Sequence, residues 1–286
     1  MTAAPVALIQ VTDVRRITPH MVRVTFAGDG LDDFPAWPDQ QLRLLFPRAG
    51  RREPRLPDTP ADDAMGWYQA YLALPEDERP WMRSYTVRSH DPVRHRITVD
   101  FVLHGTAETA GPATRWAASA TVGDLLARYG PVAAYARPLP LDRADWLLLA
   151  GDATALPAIG SLVEALPAGA RALACIEVPG PADEQRFTTR ADLTVRWVHA
   201  DGRHDALPTA VRALTFPPGE VFAWLAGEAG AVRALRRHLA GERGVGKRQI
   251  DFSGYWRRAL TQDDAPTEED LAEAQERLAA ARSPQG

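Results

Sequence analysis

The segment Arg83-Ser84-Tyr85-Thr86-Val87-Arg88 brings two kinds of binding chemistry into one short stretch of chain. Read as a strand, its period-two alternation turns Arg83 and Tyr85 to one face. An arginine able to neutralise phosphate then stands beside a ring able to stack on a flat heteroaromatic group such as an isoalloxazine. Thr86 adds a hydroxyl that can hydrogen-bond near the N5 of such a ring. The same pattern also describes a strand with a core tyrosine and two surface arginines.

Further along, Asp100-Phe101-Val102-Leu103-His104-Gly105 runs as a strand into a loop, and Gly111-Pro112-Ala113-Thr114 opens a short helix. The unpaired N–H groups and positive dipole end of a helix start suit a pyrophosphate, and the Thr114 hydroxyl can donate to the same oxygens. His104 reads equally as a dinucleotide contact or as a structural histidine at a strand end, and Trp116 as a core anchor. Leu148-Leu149-Ala150-Gly151-Asp152-Ala153-Thr154-Ala155-Leu156-Pro157 reads as a strand, a small-residue turn and a helix start. An α/β domain presents its first phosphate-binding loop at such a place. There is no G-x-G-x-x-G here, so the generic dinucleotide fingerprint is not available. Trp224-Leu225-Ala226-Gly227-Glu228 ends a later strand at the same carboxyl edge. Each of these turns also reads as a plain tight connection.

The elements that must position these residues fall into two halves. Short β-branched stretches at 6–14, 21–26, 42–46, 84–87 and 97–103 predict an antiparallel barrel or sandwich, with Ile97, Val99 and Phe101 on one face. Between them, 48–80 is rich in proline, arginine and acids without apolar periodicity and reads as a long surface excursion. After Pro138-Leu139-Pro140 the rhythm changes. Strands are expected at 146–150, 170–178, 193–199 and 221–225, and helices at 156–166, 207–214 and 231–239. That alternation predicts a parallel sheet covered on both faces. The expected division is 1–138, 139–262 and a helical tail at 263–286, started by Thr267-Glu268-Glu269-Asp270.

Composition narrows the function classes. The chain has 286 residues, 45% hydrophobic and 24% charged, which excludes a disordered or fibrous protein. With 33 Lys+Arg against 37 Asp+Glu, a net charge of -4 leaves no global basic field for nucleic acid. The single cysteine, Cys175, forms no internal disulfide and reads as a buried strand residue. No apolar run approaches the ~18 residues of a membrane span. The first residues lack a basic n-region, so the expected location is the cytoplasm. The seven histidines show no pairing at metal-ligand spacing, so no metal site is expected. No nucleophile elbow supports a hydrolase.

Five co-linear motifs, the four above and Gly254-Tyr255-Trp256-Arg257, together resemble the siderophore-interacting protein family across roughly residues 5 to 260. The resemblance implies an FAD-containing ferric-siderophore reductase built like a ferredoxin reductase. An N-terminal antiparallel β-barrel would bind FAD, and a C-terminal α/β domain with a parallel sheet would bind NADPH or NADH. Carried over, it implies that Arg83, Ser84, Tyr85 and Thr86 hold the flavin. His104, Ala113 and Thr114 would follow its pyrophosphate and adenosine, with Asp100, Val102, Gly111 and Pro112 as further cofactor-binding positions. Gly151, Asp152, Thr154, Leu156 and Pro157 would line the nicotinamide nucleotide's path, with Gly227 and Glu228 near the nicotinamide. A basic cluster taking the anionic ferric siderophore would be Arg43 with Lys247 or Arg248, and Arg88 and Arg257 as further candidates. Arg43 stands where the family commonly has lysine, and Thr114 where serine is frequent.

The implied reaction is hydride transfer to the flavin N5 followed by single-electron reduction of siderophore-bound Fe(III), with no acid/base residue and no protein metal ligand. Two readings compete with it: a ferredoxin-reductase-type enzyme serving a protein partner, and a siderophore-binding protein without redox function. A monomer is the family-like expectation. Glu177 at the end of the second α/β strand favours a free ribose hydroxyl, whereas Arg186 and Arg190 are candidates for a 2′-phosphate, which leaves NADH against NADPH open.

Overall fold

The computed structural model describes residues 6–32, 36–58, 64–105, 109–130, 139, 141, 144–200, 202–258, 260, 267–269, 271–272 and 275. Alternating apolar residues build the first half into β1 (Val6–Thr18), β2 (Met21–Ala27), β3 (Gln41–Phe46), β4 (Trp81–Thr86), β5 (Ser89–Asp91), β6 (Arg96–Val102) and β7 (Leu125–Tyr129). They form one seven-stranded sheet in the order β4-β3-β7-β1-β2-β6-β5. Every pairing in it is antiparallel. Ile97, Val99 and Phe101 are each 0% exposed. With Ile9, Val24, Phe26, Leu44, Phe46 and Leu126 they fill the inside of the curled sheet, as a one-sided apolar alternation requires.

The sheet is barrel-like but not closed. Among the described residues no ladder joins β4 to β5; the chain itself crosses the gap. There the Val87 N–H donates to the Gln40 carbonyl and the Arg88 N–H to that of Thr98, each at 2.8 Å. Within the 48–80 excursion, Ala64–Ala73 forms a helix, α1, that the sequence reading did not anticipate. Its Trp67 and Tyr71 are buried against Val6, Leu45 and Ala127, so tertiary packing makes the helix despite Gly66 in its first turn. A second helix, α2 (Pro112–Ser119), covers the barrel core with Ala113, Ala117 and Trp116, the last stacked on Phe26 at 6.1 Å.

The second half follows the predicted alternation: β8 (Trp146–Gly151), α3 (Leu156–Ala165), β9 (Arg171–Val178), β10 (Asp192–His199), α4 (Ala206–Arg212), β11 (Val221–Glu228) and α5 (Ala229–Arg237). It adds a strand the sequence did not show, β12 (Ile250–Trp256). The order is β10-β9-β8-β11-β12, all parallel. β8 is buried at every position, the continuous apolar run of a strand covered on both faces. One face packs under α3 through Leu149, Ala174, Ile176 and Trp224, and the other under α4 and α5 through Leu148, Cys175 and Leu225. Burial pushes the Cys175 thiol up to about 12, so it is an inert core group.

Of the expected terminal helix, Glu268, Glu269, Leu271, Ala272 and Gln275 are helical, and the Arg233 Nη2 lies 3.2 Å from Glu269. The remainder of that expectation, like Pro138 and Pro140 of the expected boundary, lies outside the described residues. Among the described residues no helix is long and apolar enough to cross a membrane.

Polar contacts join the two sheets. Arg88, beyond β4, makes a two-pronged ion pair with Glu164 on α3 at 2.7 and 2.6 Å. Asp39 accepts from the Trp224 indole at 2.9 Å and donates its N–H to Ser161 Oγ at 3.1 Å. His20 donates its N–H to Asp183 Oδ1 at 3.0 Å and meets Oδ2 with its ring at 2.8 Å.

Candidate functional site

The sheets bound a cleft of about 1290 Å³. Ordinary small-ligand sites span roughly 300–1,000 Å³, so this one has room for more than one cofactor-sized group.

Its barrel wall is built from β4, the end of β6 and the start of α2. Arg83, Ser84, Tyr85 and Thr86 all line it, because β4 is an edge strand that exposes more than one face. The Tyr85 ring lies 4.5 Å from that of Phe101 and edge-on to Phe46 at 6.1 Å, and removal from water pushes its hydroxyl pKa up. Asp100, Val102 and His104 continue the wall. The Asp100 carboxylate accepts from Arg23 at 2.7 and 2.8 Å, and that hydrogen bond raises the Arg23 pKa against the cost of burial. Gly111, Pro112, Ala113 and Thr114 bring the α2 N-terminus to the cleft. No side chain caps it, and nothing lies within 4 Å of where a Gly111 Cβ would stand, so the Ala113 and Thr114 N–H groups behind Pro112 face a space open to a ligand. An aromatic wall, an arginine and an uncapped helix start with open space before it suit a flavin dinucleotide.

The opposite wall is the carboxyl edge of the parallel sheet, with Asp152, Thr154 and Pro157 from the β8–α3 turn. Asp152 organises it. Its Oδ1 accepts from the Thr154 N–H at 2.8 Å and the Thr154 hydroxyl at 2.5 Å. Its Oδ2 accepts from the Glu228 N–H and the Trp256 indole N–H, each at 2.8 Å. Gly151, Leu156, Gly227 and Glu228 stand behind this wall and do not line it. A Cβ on Gly151 would meet Ala155 Cβ at 2.4 Å and the Ala226 carbonyl at 2.7 Å. Gly227 has φ +131, and a Cβ there would reach Asp152 Oδ2 at 2.6 Å. These two glycines let strand ends approach. Leu156 is core, and Glu228 caps α5 by accepting from the Ala231 N–H at 2.9 Å.

The cationic candidates separate. Arg43 and Arg257 line the cleft, as does Arg79, which the sequence reading missed. The Arg43 guanidinium lies 5.6 Å from the Tyr68 ring and 5.9 Å from that of Tyr129, so α1 helps to hold it. Arg88 is not in the cleft, because its ion pair with Glu164 turns its side chain into the seam, at 11% exposure. Lys247 and Arg248 do not line it either. They precede β12, whose first residue pairs with Ala223 and whose last, Trp256, pairs with Glu228. Six residues of strand, roughly 20 Å, therefore separate them from the carboxyl edge. The sequence reading also missed Tyr68, Tyr71 and Leu72 of α1 and Gln41, Gly254, Tyr255 and Trp256. The last three were visible only as a motif with no role. Tyr255 hydrogen-bonds Gln41 and Thr86, tying β12 to β3 and β4, and burial raises its pKa. Among the described residues no group of three or more His, Cys, Asp or Glu side chains is placed to hold a metal ion.

Comparison with known proteins decides the family. Residues 10–135 match the siderophore-interacting FAD-binding domain and residues 144–259 the siderophore-interacting protein domain. An uncharacterized Mycobacterium tuberculosis protein is 39% identical over 278 residues, covering 92% of this chain and 94% of that one. The chain belongs to the siderophore-interacting protein family. It carries the family's FAD-binding domain, and the barrel wall of the cleft belongs to that domain. Ferric vibriobactin reductase ViuB of Vibrio cholerae is 29% identical over 255 residues, covering 86% of this chain and 88% of its own. An NADPH-dependent ferric-chelate reductase of Escherichia coli is 26% identical over 252 residues, covering 87% and 91%. Among solved structures, a siderophore utilization protein from T. fusca aligns with TM-score 0.76 at 35% identity, covering 91% of this chain and 95% of that chain. The ferredoxin reductase of carbazole 1,9a-dioxygenase aligns with TM-score 0.59 at 18% identity, covering 88% and 69%, and shares the fold.

Proposed function

We propose that this family member is a cytoplasmic, monomeric FAD-dependent reductase that uses NADH or NADPH to reduce Fe(III) held in a siderophore. The observation that carries the reading is one cleft in which the β4 motif and the α2 N-terminus face the Asp152 turn of the nucleotide domain, with Arg43, Arg79, Arg83 and Arg257 in its walls. Bound FAD would supply the conversion of a two-electron donor into a one-electron donor. Arg83 and the α2 N-terminus would hold the pyrophosphate, Tyr85 and Thr86 the ring, and Asp152 and Thr154 would shape the nucleotide path. The arginines would draw an anionic chelate to the same cleft. Fe(II) is held less firmly than Fe(III) by hard oxygen ligands, so reduction releases the metal and the protein needs no iron ligands of its own. The names of the Vibrio and Escherichia relatives support this reading.

The test is an anaerobic visible spectrum of the purified protein. A flavin spectrum is expected to bleach with NADH or NADPH and to return on addition of a ferric siderophore. Flavin that bleaches but does not reoxidise with ferric siderophore points to a protein electron acceptor instead. A protein that binds no FAD sinks the proposal.

A further inference from the structure

The nucleotide arm of the cleft reaches the carboxyl end of β9, where Glu177, Val178 and Pro179 form its wall. β9 is the second strand of the parallel sheet in chain order and lies directly beside β8, which carries the Asp152 turn. In a sheet of this winding, a carboxylate at that strand end meets the adenosine ribose. It accepts from a free 2′-OH and repels a 2′-phosphate. The side chain is held in place there, since Glu177 Oε2 accepts from the Leu207 N–H at 3.2 Å in the first turn of α4.

Among the described residues, neither Arg186, Arg190 nor Arg203 of the neighbouring connections lines the cleft. The Arg190 carbonyl accepts from the Gly169 N–H at 3.1 Å, at the amino end of β9. Arg171 begins that strand, so roughly 20 Å of chain separates this end from Glu177. Arg186 lies between Glu184, bonded to His199 at 2.8 Å, and Phe187, stacked on Trp197 at 6.3 Å. Phe187 and Trp197 pack on the α3 face of the sheet, opposite to α4. Arg203, in the β10–α4 connection, lines a neighbouring small hollow with Arg196 and with Val198, the register partner of Glu177, outside the cleft. The cleft's own arginines come from the barrel sheet and its excursion or from the end of β12, three positions from β9 in the sheet order.

We infer that Glu177 makes this chain selective for NADH over NADPH, by reading the free ribose hydroxyl and rejecting the 2′-phosphate. The inference rests on the proposed nucleotide role of the cleft, and it separates this chain from the Escherichia coli relative, whose name specifies NADPH. The experiment is calorimetric titration of the FAD-loaded protein with NAD⁺ and with NADP⁺, alongside anaerobic flavin bleaching by NADH and NADPH. NAD⁺ is expected to bind about tenfold more tightly or better, and NADH to bleach faster by a similar factor. Glu177→Gln keeps an acceptor for the Leu207 N–H and removes the charge. It should narrow the ratio by about fivefold or more, chiefly by gain with NADP⁺, with flavin content unchanged. Equal or tighter NADP⁺ binding by the wild type, or a ratio unmoved in E177Q, overturns the role of Glu177 while the reductase reading stands. Binding of neither nucleotide by FAD-loaded protein overturns the nucleotide reading itself, and this inference with it.

Discussion

At the scale of single residues, two kinds of side chain share the work of the cleft: those that would touch a cofactor, and those that hold the walls. Tyr85 and Arg83 are of the first kind. Replacing Tyr85 by Ala, or Arg83 by Gln, is expected to yield folded protein that loses most of its FAD on gel filtration, read as the ratio of visible to ultraviolet absorbance. Full retention of flavin in both variants would remove them from the cofactor site. Asp152 is of the second kind, with four donors converging on its two oxygens. An Asn there must point an NH₂ at donors, which costs about 1–3 kcal/mol for the group left unsatisfied. D152N should therefore unfold at a lower temperature and bind nicotinamide nucleotide more weakly while keeping its FAD. The first kind of residue was legible in the sequence because its partners are local: Arg83, Tyr85 and Thr86 sit on one strand whose alternation can be read directly. The Asp152 partner Trp256 lies 104 positions away, and no local pattern announces such a bond.

Whole elements show the same division. β4, β6 and the β8–α3 turn could be read because period-two alternation and a small-residue turn are properties of a few consecutive residues. α1 could not, since the packing of Trp67 and Tyr71 against the barrel makes it a helix. β12 was hidden as well, and with it the end at which Lys247 and Arg248 would fall. A parallel register is set by the neighbouring strand and not by the sequence of the strand itself. The junction of β8 with β11 gives an element-scale prediction. Gly151→Ala forces a methyl to within 2.4 Å of Ala155 Cβ and 2.7 Å of the Ala226 carbonyl. Overpacking of this kind costs roughly 1–3 kcal/mol. Denaturant unfolding should show that loss, whereas Gly111→Ala, with open space around its Cβ, should unfold near the wild-type midpoint. Equal midpoints for wild type and G151A would mean that the strand ends have slack that the geometry does not show.

For the whole molecule, a cleft whose two walls belong to different sheets depends on the contacts that hold those sheets in register. The pair formed by His20 and Asp183 spans 163 positions of sequence and joins the β1–β2 turn to the chain after β9. Burial alone would raise the Asp183 pKa, but hydrogen bonds from His20 and Thr18 outweigh it, and the carboxyl is held below its ordinary value. An unfolded aspartate titrates near about 3.9. Because the folded pKa is the lower of the two, the unfolded chain takes up the proton first as pH falls. The stabilisation from Asp183 is therefore fully present above that range and is lost progressively as pH drops toward the folded value. Thermal unfolding followed from about pH 7 to about pH 3 should show the wild type well above D183N at neutral pH, with the two curves converging in acid. Nucleotide binding, which needs both walls, should weaken in D183N more than FAD retention, which needs only the barrel wall. Curves that stay parallel down to the acid limit would show that the carboxylate carries no linked proton and that the seam rests on the Arg88–Glu164 and Asp39–Trp224 contacts instead.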